Sequence, residues 1–596
     1  LDANSNNAFT ITIGTGDAEI TAANLNSLNE LTTVAIDATN VTQITGTVSA
    51  ANTVYTAGDA GEIIGLGNET VVISGESSNT LSDASTLNTL DGNTTGTVNA
   101  GSLTTIQGAL SDVLTAYASN GITGLGNEAI TLTDEGSISS TDLNTLDTKT
   151  SGAITTHTDL QTLTGTVAEL NEAFGSEGST ALGTEAVTIT DTTVDAGDLN
   201  ILNNYTTGVI NADNLTKLTG TIADINVAFA ADAAVSATIS GLGDQAVELT
   251  DTNVLAADLN TLNDYTIGDI DASTVAEIEG TVTALNTAYD TAGINGLGNE
   301  AVTITDTTAA VADLVTLDGN TSGVIDASAA HTLSGTVSNA NAVYASDGFT
   351  GLGAEAVTLS DTSLSDVADL NTLNGYTTGN IDASEITSLT GSISDLNTAY
   401  GSASALGNGI SNLGNETVTI DDTTSIDASA LNTLNGYTTG NVDATTAESF
   451  TGTISDLNTL YAAAASSGDG IKGLGSEAVT VTDSSVSASD LNTLNTNTDY
   501  NITVNATAIS GSLSDVNTLY ENKADDSDAD TDGFTGLGNE AITLTDTGSI
   551  EADTLLTVAQ ANSSGTVDAS NAGTITGTAE EIIDAYADST ITEASD

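Results

Sequence analysis

The stretch GLGNEAVTITDTT, residues 296–308, places two glycines, an amide and a carboxylate before alternating valine, threonine and isoleucine. It recurs with small changes as GLGNEAITLTDEG from Gly124, ALGTEAVTITDTT from Ala181, GLGAEAVTLSDTS from Gly351 and GLGSEAVTVTDSS from Gly473. Its leucine stands at positions 66, 125, 182, 242, 297, 352, 413, 474 and 537, so the copies are 55 to 63 residues apart. Self-similarity at such a period indicates structural units that stack on one another.

A tenth, degenerate copy of the pattern lies near the amino terminus, in FTITIGTGD from Phe9. The sequence therefore predicts a single array of ten repeat units over residues 1–596. The predicted bounds of these units are 1–62, 63–121, 122–179, 180–238, 239–293, 294–348, 349–409, 410–470, 471–533 and 534–596.

Each unit contains three recurring modules. In the first, AVTITD at 301–306 alternates apolar residues with threonine, which predicts a strand with one buried face. In the second, AADLNTLNDYTIGDIDAS at 256–273 predicts a short helix, spaced by Leu259 and Leu262, and then a short strand at 269–272. In the third, TGTVAELNEAF at 164–174 predicts a helix that starts at a capping box of Thr166 and Glu169. The same box is expected at Thr221 with Asp224, Ser392 with Asp395, Thr453 with Asp456, Ser512 with Asp515 and Thr578 with Glu581.

A unit of this kind cannot bury its apolar face alone and does so against its neighbours. We therefore expect a repeat solenoid of the β/α type, in which parallel β-strands form the rungs and short helices join them, extended into a rod. Rungs stack at about 4.8 Å, so two coils per unit would give roughly 20 rungs, and three coils would lengthen the rod by half.

The composition excludes several classes of protein. The chain has 81 acidic residues against four lysines and no arginine, and its formal net charge of −77 repels nucleic acid and anionic membrane surfaces. It contains no cysteine, so disulfides, thiolate nucleophiles and thiolate zinc sites are excluded. It has no apolar stretch of about 18 residues, so we expect no membrane-spanning helix.

No pattern in the chain indicates catalysis. GLGNE lacks the G-x-G-x-x-G spacing of a dinucleotide site, and a strand follows it where a phosphate site needs a helix. His157 and His331 occupy non-equivalent positions in different units, so they do not suggest a catalytic triad. Carboxylate pairs that recur in every unit do not indicate one tuned acid and one tuned base. We expect that the protein is not an enzyme.

Calcium is the one ligand that the residue types favour, because carboxylates bracket the first-module strand in copy after copy. Hard cations take several oxygen ligands, and stacked units would line these oxygens in rows. The predicted calcium ligands are Glu185, Asp191, Glu300, Asp306, Glu355, Asp361, Glu477, Asp483, Glu540 and Asp546. The alternative interpretation is a solvated acidic surface that salt screens. The acidic stretch KADDSDADTDG at 523–533 resembles half of an EF-hand loop but lacks its closing glutamate.

Aromatic residues occupy two recurring positions. One closes the third-module helix in all ten units, at Tyr55, Tyr117, Phe174, Phe229, Tyr289, Tyr344, Tyr400, Tyr461, Tyr520 and Tyr586. Another follows the second-module helix, at Tyr205, Tyr265, Tyr376, Tyr437 and Tyr500. We expect these rings to fill the solenoid interior; the alternative is a ladder that grips a repetitive ligand such as a sugar polymer. The exposure of the rings decides between the two.

The segments NTLNGYTTGNIDAS at 371–384 and SLTGSISDLNTAY at 388–400, together with GLGNEAVTITDTT, carry a resemblance to a known family. They resemble the tandem repeats of very large surface proteins of marine unicellular cyanobacteria, among them the giant cell-surface protein associated with swimming motility. The resemblance covers essentially the whole chain. It implies an extracellular location at the cell surface and a structural role.

Two functions are therefore expected from the sequence. The first is a structural repeat protein that forms a surface fibre, filament or surface-layer-like coat. The alternative is an adhesin or phage-type fibre stalk that binds glycan or another surface through rows of threonine and tyrosine, for which Thr303 and Thr305 have suitable spacing. Neither FTITI at 9–13 nor TGTAEEIIDAY at 576–586 has a distinct capping composition. We therefore expect either further sequence or self-association, head-to-tail or lateral.

Overall fold

The computed structural model describes residues 8–402, 408–464, 470–523 and 533–592. In these ranges the chain forms 20 α-helices that alternate with short strands. The helices are Ala22–Leu31, Val48–Asp59, Ala84–Asn93, Leu110–Ala118, Ser140–Asp147, Val167–Gly175, Ala196–Tyr205, Ile222–Ala233, Ala256–Tyr265, Val282–Asp290, Val311–Asn320, Val337–Ala345, Ala368–Tyr376, Ile393–Ser402, Ala428–Tyr437, Ile454–Ala462, Ala488–Asn495, Leu513–Glu521, Ala552–Ala561 and Ala579–Ala587.

Five strand positions recur between the helices. In a repeat unit the order is first-, second- and third-position strand, first helix, fourth- and fifth-position strand, second helix. First-position strands are Ile63–Ile64, Ile122–Thr123, Ser179–Thr180, Ile239–Ser240, Ile294–Asn295, Phe349–Thr350, Gly409–Ser411, Ile471–Lys472, Phe534–Thr535 and Ile591–Thr592. Second-position strands are Ile11–Thr12, Thr70–Ile73, Ala129–Leu132, Ala186–Ile189, Ala246–Leu249, Ala301–Ile304, Ala356–Leu359, Thr417–Ile420, Ala478–Val481 and Ala541–Leu544.

The remaining three positions flank the helices. Third-position strands are Glu19–Thr21, Thr80–Leu81, Ser137–Ser139, Thr193–Asp195, Asn253–Leu255, Thr308–Ala310, Ser363–Leu364, Ser425–Asp427, Ser485–Ser487 and Ser549–Glu551. Fourth-position strands are Ile36–Asp37, Val98–Asn99, Ile154–Thr155, Ile210–Asn211, Ile270–Asp271, Ile325–Asp326, Asn380–Asp382, Val442–Asp443, Ile502–Val504 and Thr566–Asp568. Fifth-position strands are Gln43–Gly46, Thr105–Gly108, Thr162–Gly165, Lys217–Gly220, Glu277–Gly280, Thr332–Gly335, Ser388–Gly391, Ser449–Gly452, Ala508–Gly511 and Thr574–Thr576.

The chain divides into two compact bodies, one of Leu1–Glu279 with Thr287–Glu300 and the other of Gly280–Asn286 with Ala301–Asp596. In the first body, parallel register joins Ile20 to Ile44, Ile44 to Val71, Val71 to Val98 and Val98 to Ile122. Each step along this sheet moves the chain by one coil, and two coils make one repeat unit.

The second body repeats the same register. Ala309 pairs with Leu333, Leu333 with Val357, Val357 with Ile381 and Ile381 with Ile410, all in parallel. The fold is therefore a repeat solenoid of parallel strand rungs joined by short helices, as the sequence predicts. Two helices and two coils occur in each repeat unit, a count that the sequence alone leaves open. The ten unit boundaries stay a prediction.

Side-chain periodicity explains both kinds of element. In the strand Ala301–Ile304, Val302 and Ile304 are buried while Ala301 and Thr303 are exposed, which is the two-residue alternation of a half-buried strand. In the helix Ala256–Tyr265, the buried residues Ala256, Leu259 and Leu262 recur every three residues along one face. The predicted helix about Leu259 and Leu262 is confirmed, and the strand predicted at 301–306 is present at Ala301–Ile304. Among the described residues, no helix combines the length and apolar character needed to cross a membrane.

Two kinds of helix start replace the single capping box that the sequence predicts. At Thr166 the hydroxyl accepts from the Glu169 N–H at 3.3 Å and the Glu169 carboxylate accepts from the Thr166 N–H at 3.0 Å, which completes the box. Thr578 and Glu581 do the same. The Glu169 carboxylate also accepts from the Thr166 hydroxyl at 2.9 Å, and where aspartate replaces glutamate this hydroxyl bond remains, as from Thr221 to Asp224 at 2.7 Å. Aspartate is one methylene shorter, so its carboxylate reaches the hydroxyl but not the backbone N–H of the capping residue.

Candidate functional site

The glutamate of the GLG-x-E turn lies inside the solenoid. In the repeat around Glu300, its carboxylate accepts from the Gly298 N–H at 2.8 Å, two residues earlier in the chain. Gly296 has a φ of +92°, and a Cβ atom there would lie 2.6 Å from the Ser273 backbone nitrogen, so this copy favours glycine. Ala181 and Asn412 hold the equivalent position in two other copies, also with positive φ. The same Gly N–H bond, 2.7 to 2.9 Å long, serves the acidic or amide side chains of Glu69, Glu128, Glu185, Gln245, Glu355, Glu416, Glu477 and Glu540. The GLG-x-E turn therefore has a structural role.

The tyrosine that closes the second helix reaches the same carboxylate. The Tyr400 hydroxyl donates to Glu416 Oε2 at 2.7 Å, and the corresponding bond from Tyr520 to Glu540 is 2.6 Å long. Equivalent bonds join Tyr55 to Glu69, Tyr117 to Glu128, Tyr289 to Glu300 and Tyr344 to Glu355. Burial is the main cause that raises the pKa of the Tyr400 and Tyr520 phenols far above their ordinary value. These phenols therefore remain protonated donors at neutral pH.

The aspartate that follows the second-position strand caps a helix one coil earlier. Asp306 Oδ2 accepts from the Val282 N–H at 2.7 Å, the first free N–H of that second helix. The same contact, 2.6 to 2.9 Å long, spans 24 to 33 residues in each copy. It joins Glu76 to Val48, Asp134 to Leu110, Asp191 to Val167, Asp251 to Ile222, Asp361 to Val337, Asp422 to Ile393, Asp483 to Ile454 and Asp546 to Leu513.

These contacts show where the predicted calcium ligands lie. The glutamates Glu185, Glu300, Glu355, Glu477 and Glu540 turn inward to a glycine N–H, and the aspartates Asp191, Asp306, Asp361, Asp483 and Asp546 each accept from a helix N–H. Within the described ranges, no three Asp, Glu or His side chains converge in an arrangement that could hold a metal ion. Calcium binding by these residues stays a prediction. The EF-hand-like stretch lies outside the described residues over 524–532.

The two aromatic rows lie in different environments. Among the rings that close the second helix, five are buried as expected, namely Tyr55, Phe229, Tyr400, Tyr461 and Tyr520. Four are partly buried, namely Tyr117, Phe174, Tyr289 and Tyr344, and Tyr586 is exposed. Among those predicted to follow the first helix, Tyr376 and Tyr437 are its last residues and are 40% and 39% exposed. Four rings at the end of a first helix stack in parallel on a ring that closes a second helix. The centroid distances are 6.3 Å for Phe174 with Tyr205 and for Phe229 with Tyr265, and 5.8 Å for Tyr344 with Tyr376 and for Tyr400 with Tyr437.

Threonine rows cross the outer sheet faces. Thr131 pairs with Thr155, Thr155 pairs with Thr180, and the two hydroxyls of the latter pair lie 3.2 Å apart. Thr303 and Thr305 are both exposed, as a binding row requires. The histidines lie apart from these rows. His157 Nδ1 accepts from the Asp159 N–H at 3.1 Å within a turn, and His331 is exposed.

An asparagine ladder is the recurring feature that the sequence reasoning missed. Asn371 Nδ2 donates to the Asp395 carbonyl oxygen in the next helix at 2.9 Å, and Asn432 donates to the Asp456 carbonyl oxygen at 2.9 Å. The same bond to the following helix comes from Asn26, Asn52, Asn88, Asn144, Asn171, Asn200, Asn226, Asn286, Asn341, Asn397, Asn458 and Asn492. The signal was present as the asparagine that follows the core leucine in most helices.

The chain matches no protein-family model, and it has no significant match among curated proteins.

Proposed function

We propose that this chain is a structural segment of an extracellular surface protein, and that its function is to form a fibre, filament or coat. The observation that carries the proposal is how the repeated polar residues are used. Glutamate, aspartate, asparagine and tyrosine, the residues that would serve chemistry in an enzyme, bond to glycine N–H groups, helix ends and neighbouring coils in copy after copy. In such a chain the recurring polar residues stabilise each coil and join it to its neighbours, which favours a long, regular array.

Self-association is the second part of the proposal. In the last described helix, Ala579–Ala587, Ile583 is 65% and Tyr586 is 60% exposed, whereas the equivalent tyrosines Tyr400 and Tyr461 are 2% and 5% exposed. In the earlier repeats the following coil covers this surface. We propose that a further coil covers it, supplied either by additional sequence or by the first coil of another copy in the assembled material. A head-to-tail contact of this kind does not close on itself and so produces filaments.

Charge sets the conditions for such an assembly. With a net charge of −77, two copies repel each other strongly in dilute buffer. The Debye length falls from about 30 Å at 0.01 M salt to about 3 Å at 1 M, so association should strengthen as salt rises. Saline water is the natural solvent for a surface protein of this charge.

Sedimentation velocity of the purified chain from 0.01 to 1 M sodium chloride, followed by electron microscopy, tests the proposal. We expect larger species and filaments at high salt. Tyr586→Ser should prevent their formation, while the control Tyr437→Ser, at another exposed tyrosine, should leave it unchanged. A monomer at every salt and protein concentration would contradict head-to-tail assembly.

The second candidate function is a stalk that binds glycan, and the half-exposed tyrosines favour it. The rings of Tyr376 and Tyr437 are partly exposed to solvent, and each stacks on a second aromatic ring. A rigid aromatic surface suits the apolar face of a sugar ring. Binding of the unmodified chain and of the double variant Tyr376→Ser/Tyr437→Ser to a glycan array distinguishes the two candidate functions. A glycan-binding stalk should lose binding in the variant, whereas a structural segment should show no binding that depends on these tyrosines.

A further inference from the structure

The stacked aromatic pairs fall into two chemical classes. Each pair has an inner ring, which lies near the end of a second helix, and an outer tyrosine, which ends the first helix of the next coil. The inner ring is phenylalanine at Phe174 and Phe229, and it is tyrosine at Tyr344 and Tyr400. The two classes therefore differ by one phenol hydroxyl behind the outer ring.

The outer rings of the two classes are similarly accessible. Tyr205, which stacks on phenylalanine, is 43% exposed, while Tyr376 and Tyr437, which stack on tyrosine, are 40% and 39% exposed. All the pairs lie within the usual range of aromatic contacts. A reagent in solution therefore reaches the outer ring of both classes, and the chemical difference lies in the ring behind it.

Each inner tyrosine is hydrogen-bonded to a buried carboxyl group. The Tyr400 hydroxyl donates to Glu416 Oε2 at 2.7 Å, and the Tyr344 hydroxyl donates to Glu355 Oε2 at 2.9 Å. The Gly414 N–H donates to the same Glu416 oxygen at 2.8 Å. Two donors on one oxygen favour the ionised carboxylate, which has acceptors only. Each inner phenol thus has a proton acceptor inside the protein.

The inner phenylalanines lie in repeats that vary this acceptor. The repeat of Phe174 keeps the acid as Glu185, while the repeat of Phe229 has the amide Gln245 in its place. An amide side chain does not take up a proton at neutral pH. The chain therefore contains pairs with phenol and acid, with acid alone, and with neither.

We propose that the pair of Tyr400 with Tyr437 and the pair of Tyr344 with Tyr376 are one-electron redox sites. The outer ring meets an oxidant from solution, such as an oxidised metal complex or a small radical, and the inner ring holds the resulting phenoxyl radical. The ring centroids lie 5.8 Å apart in both pairs, so an electron can pass directly between the stacked rings.

The one-electron step balances among four partners. The oxidant takes one electron from the Tyr437 ring and is reduced, and Tyr437 then takes one electron from Tyr400 across the stack. The Tyr400 O–H bond breaks, and its proton passes along the existing hydrogen bond to Glu416 Oε2. The products are the reduced oxidant, unchanged Tyr437, a neutral phenoxyl radical on Tyr400 and protonated Glu416. Any proton that Tyr437 releases to water while oxidised returns when Tyr437 is reduced.

Two features favour the inner ring as the place where the radical stays. An oxidised phenol gives up its proton readily, and the Tyr400 hydroxyl already contacts a carboxylate oxygen that can take it. The transfer also turns the fully buried Glu416 carboxylate into a neutral acid, which costs less to keep away from water than a charged group. The radical on the outer ring is removed before it couples with another tyrosyl radical. These pairs therefore protect their outer rings from oxidation and cross-linking.

Photo-oxidation of the full chain with ruthenium tris(bipyridine) and persulfate tests the proposal, because a flash of light then generates a one-electron oxidant. The acidic chain attracts the cationic complex along its whole length. Mass spectrometry of peptides cut at acidic residues gives the amount of dityrosine and hydroxylated tyrosine at each outer ring. We expect more of both products at Tyr205 than at Tyr376 and Tyr437, although their exposure is similar. Equal modification of the three rings would overturn the proposal.

Variants that copy other repeats separate the two parts of the site. Tyr400→Phe, which copies the phenylalanine pairs, should raise the modification of Tyr437 to the level of Tyr205. Glu416→Gln, which copies the amide repeat, should also raise it, although both rings remain. Tyr376 in the same molecule is the internal control and should not change. An unchanged Tyr437 in either variant would overturn the proposal, and the unmodified chain decides the question even if a variant does not fold.

The reverse substitutions add a phenol to the other class. Phe174→Tyr, in a repeat that holds the acid, should lower the modification of Tyr205. Phe229→Tyr, in the repeat that holds the amide, should leave the modification of Tyr265 unchanged. Protection of Tyr265 without protection of Tyr205 would contradict the part assigned to the carboxylate.

Discussion

At the scale of single residues, the bond between tyrosine and glutamate links a helix end to a glycine turn. Tyr400 and Tyr520 donate short bonds to their glutamates, while the repeats that carry Phe174 and Phe229 form without a hydroxyl. Phenylalanine therefore fits the same space. The hydroxyl contributes a bond to a fold that packing already specifies.

Tyr400→Phe should lower the free energy of unfolding by about 0.5–1.5 kcal/mol, the usual net contribution of one hydrogen bond. The reason is that Glu416 Oε2 then keeps the Gly414 N–H as its donor and loses the phenol. Urea unfolding measures the change. Tyr437→Phe, at a half-exposed ring, is the control, and equal losses for the two variants would contradict the role assigned to the buried bond.

Acid sensitivity also belongs to single residues. Hydrogen bonds from the Ser328 N–H and hydroxyl lower the pKa of Asp326 below its ordinary value of 3.8, and the Ser273 hydroxyl and N–H do the same for Asp271. Because the pKa of each carboxyl is lower in the folded state than in the unfolded state, the ionised group stabilises the fold at pH values above the unfolded-state pKa. This contribution is lost as the pH falls through the folded-state pKa. Ser328→Ala should move the Asp326 titration upward in a carboxyl NMR experiment, with Asp271 unmoved. An unchanged Asp326 titration would show that the serine hydroxyl does not contribute.

At the scale of helices and strands, the cross-coil aspartate caps tie each second helix to the coil that follows. Asp483 caps the helix Ile454–Ala462 from 29 residues further along the chain. Strand periodicity, helix spacing and the Thr166 cap were readable from the sequence, because each depends on neighbours within a few residues. The aspartate cap was not, because it depends on which coil lies beside which.

Asp483→Ala should cost about 0.5–2 kcal/mol, the range for loss of a helix cap, because the Ile454 N–H loses its carboxylate. Asp483→Asn keeps an acceptor oxygen and should recover most of this loss. Asp499→Ala, at an exposed aspartate, is the control for removing a negative charge. Equal free energies of unfolding in urea for Asp483→Ala and Asp499→Ala would show that the Asp483 cap does not stabilise the fold.

At the scale of the whole molecule, charge and repetition are the dominant features. The sequence predicted the solenoid from its period, but the number of coils per repeat depended on which strands pair, as Ile44 does with Val71. The positions of the predicted calcium ligands likewise depend on contacts between coils, which the sequence does not specify. Glu300 and Asp306 bracket one strand, yet the glycine turn directs the first inward and coil stacking brings the second to Val282.

Calcium binding is tested on the intact chain. An ion that binds only the folded state raises the melting temperature by mass action. If the predicted carboxylate rows bind calcium, melting in about 0.5 M sodium chloride should occur at a lower temperature with chelator than with calcium, beyond the screening that this salt already provides. Equal melting temperatures would leave screening as the whole effect of salt.

The central claim is that contacts between neighbouring coils hold this fold together, and hydrogen exchange of Leu262→Ala tests it most directly. Leu262 is fully buried in the helix Ala256–Tyr265, so its truncation should cost about 2–5 kcal/mol locally. In a repeat array this loss spreads to adjacent coils only. We predict that amides of Ile222–Ala233 lose protection while those of Ala22–Leu31 keep it. Uniform loss of protection across both helices, or no loss in either, would contradict the account.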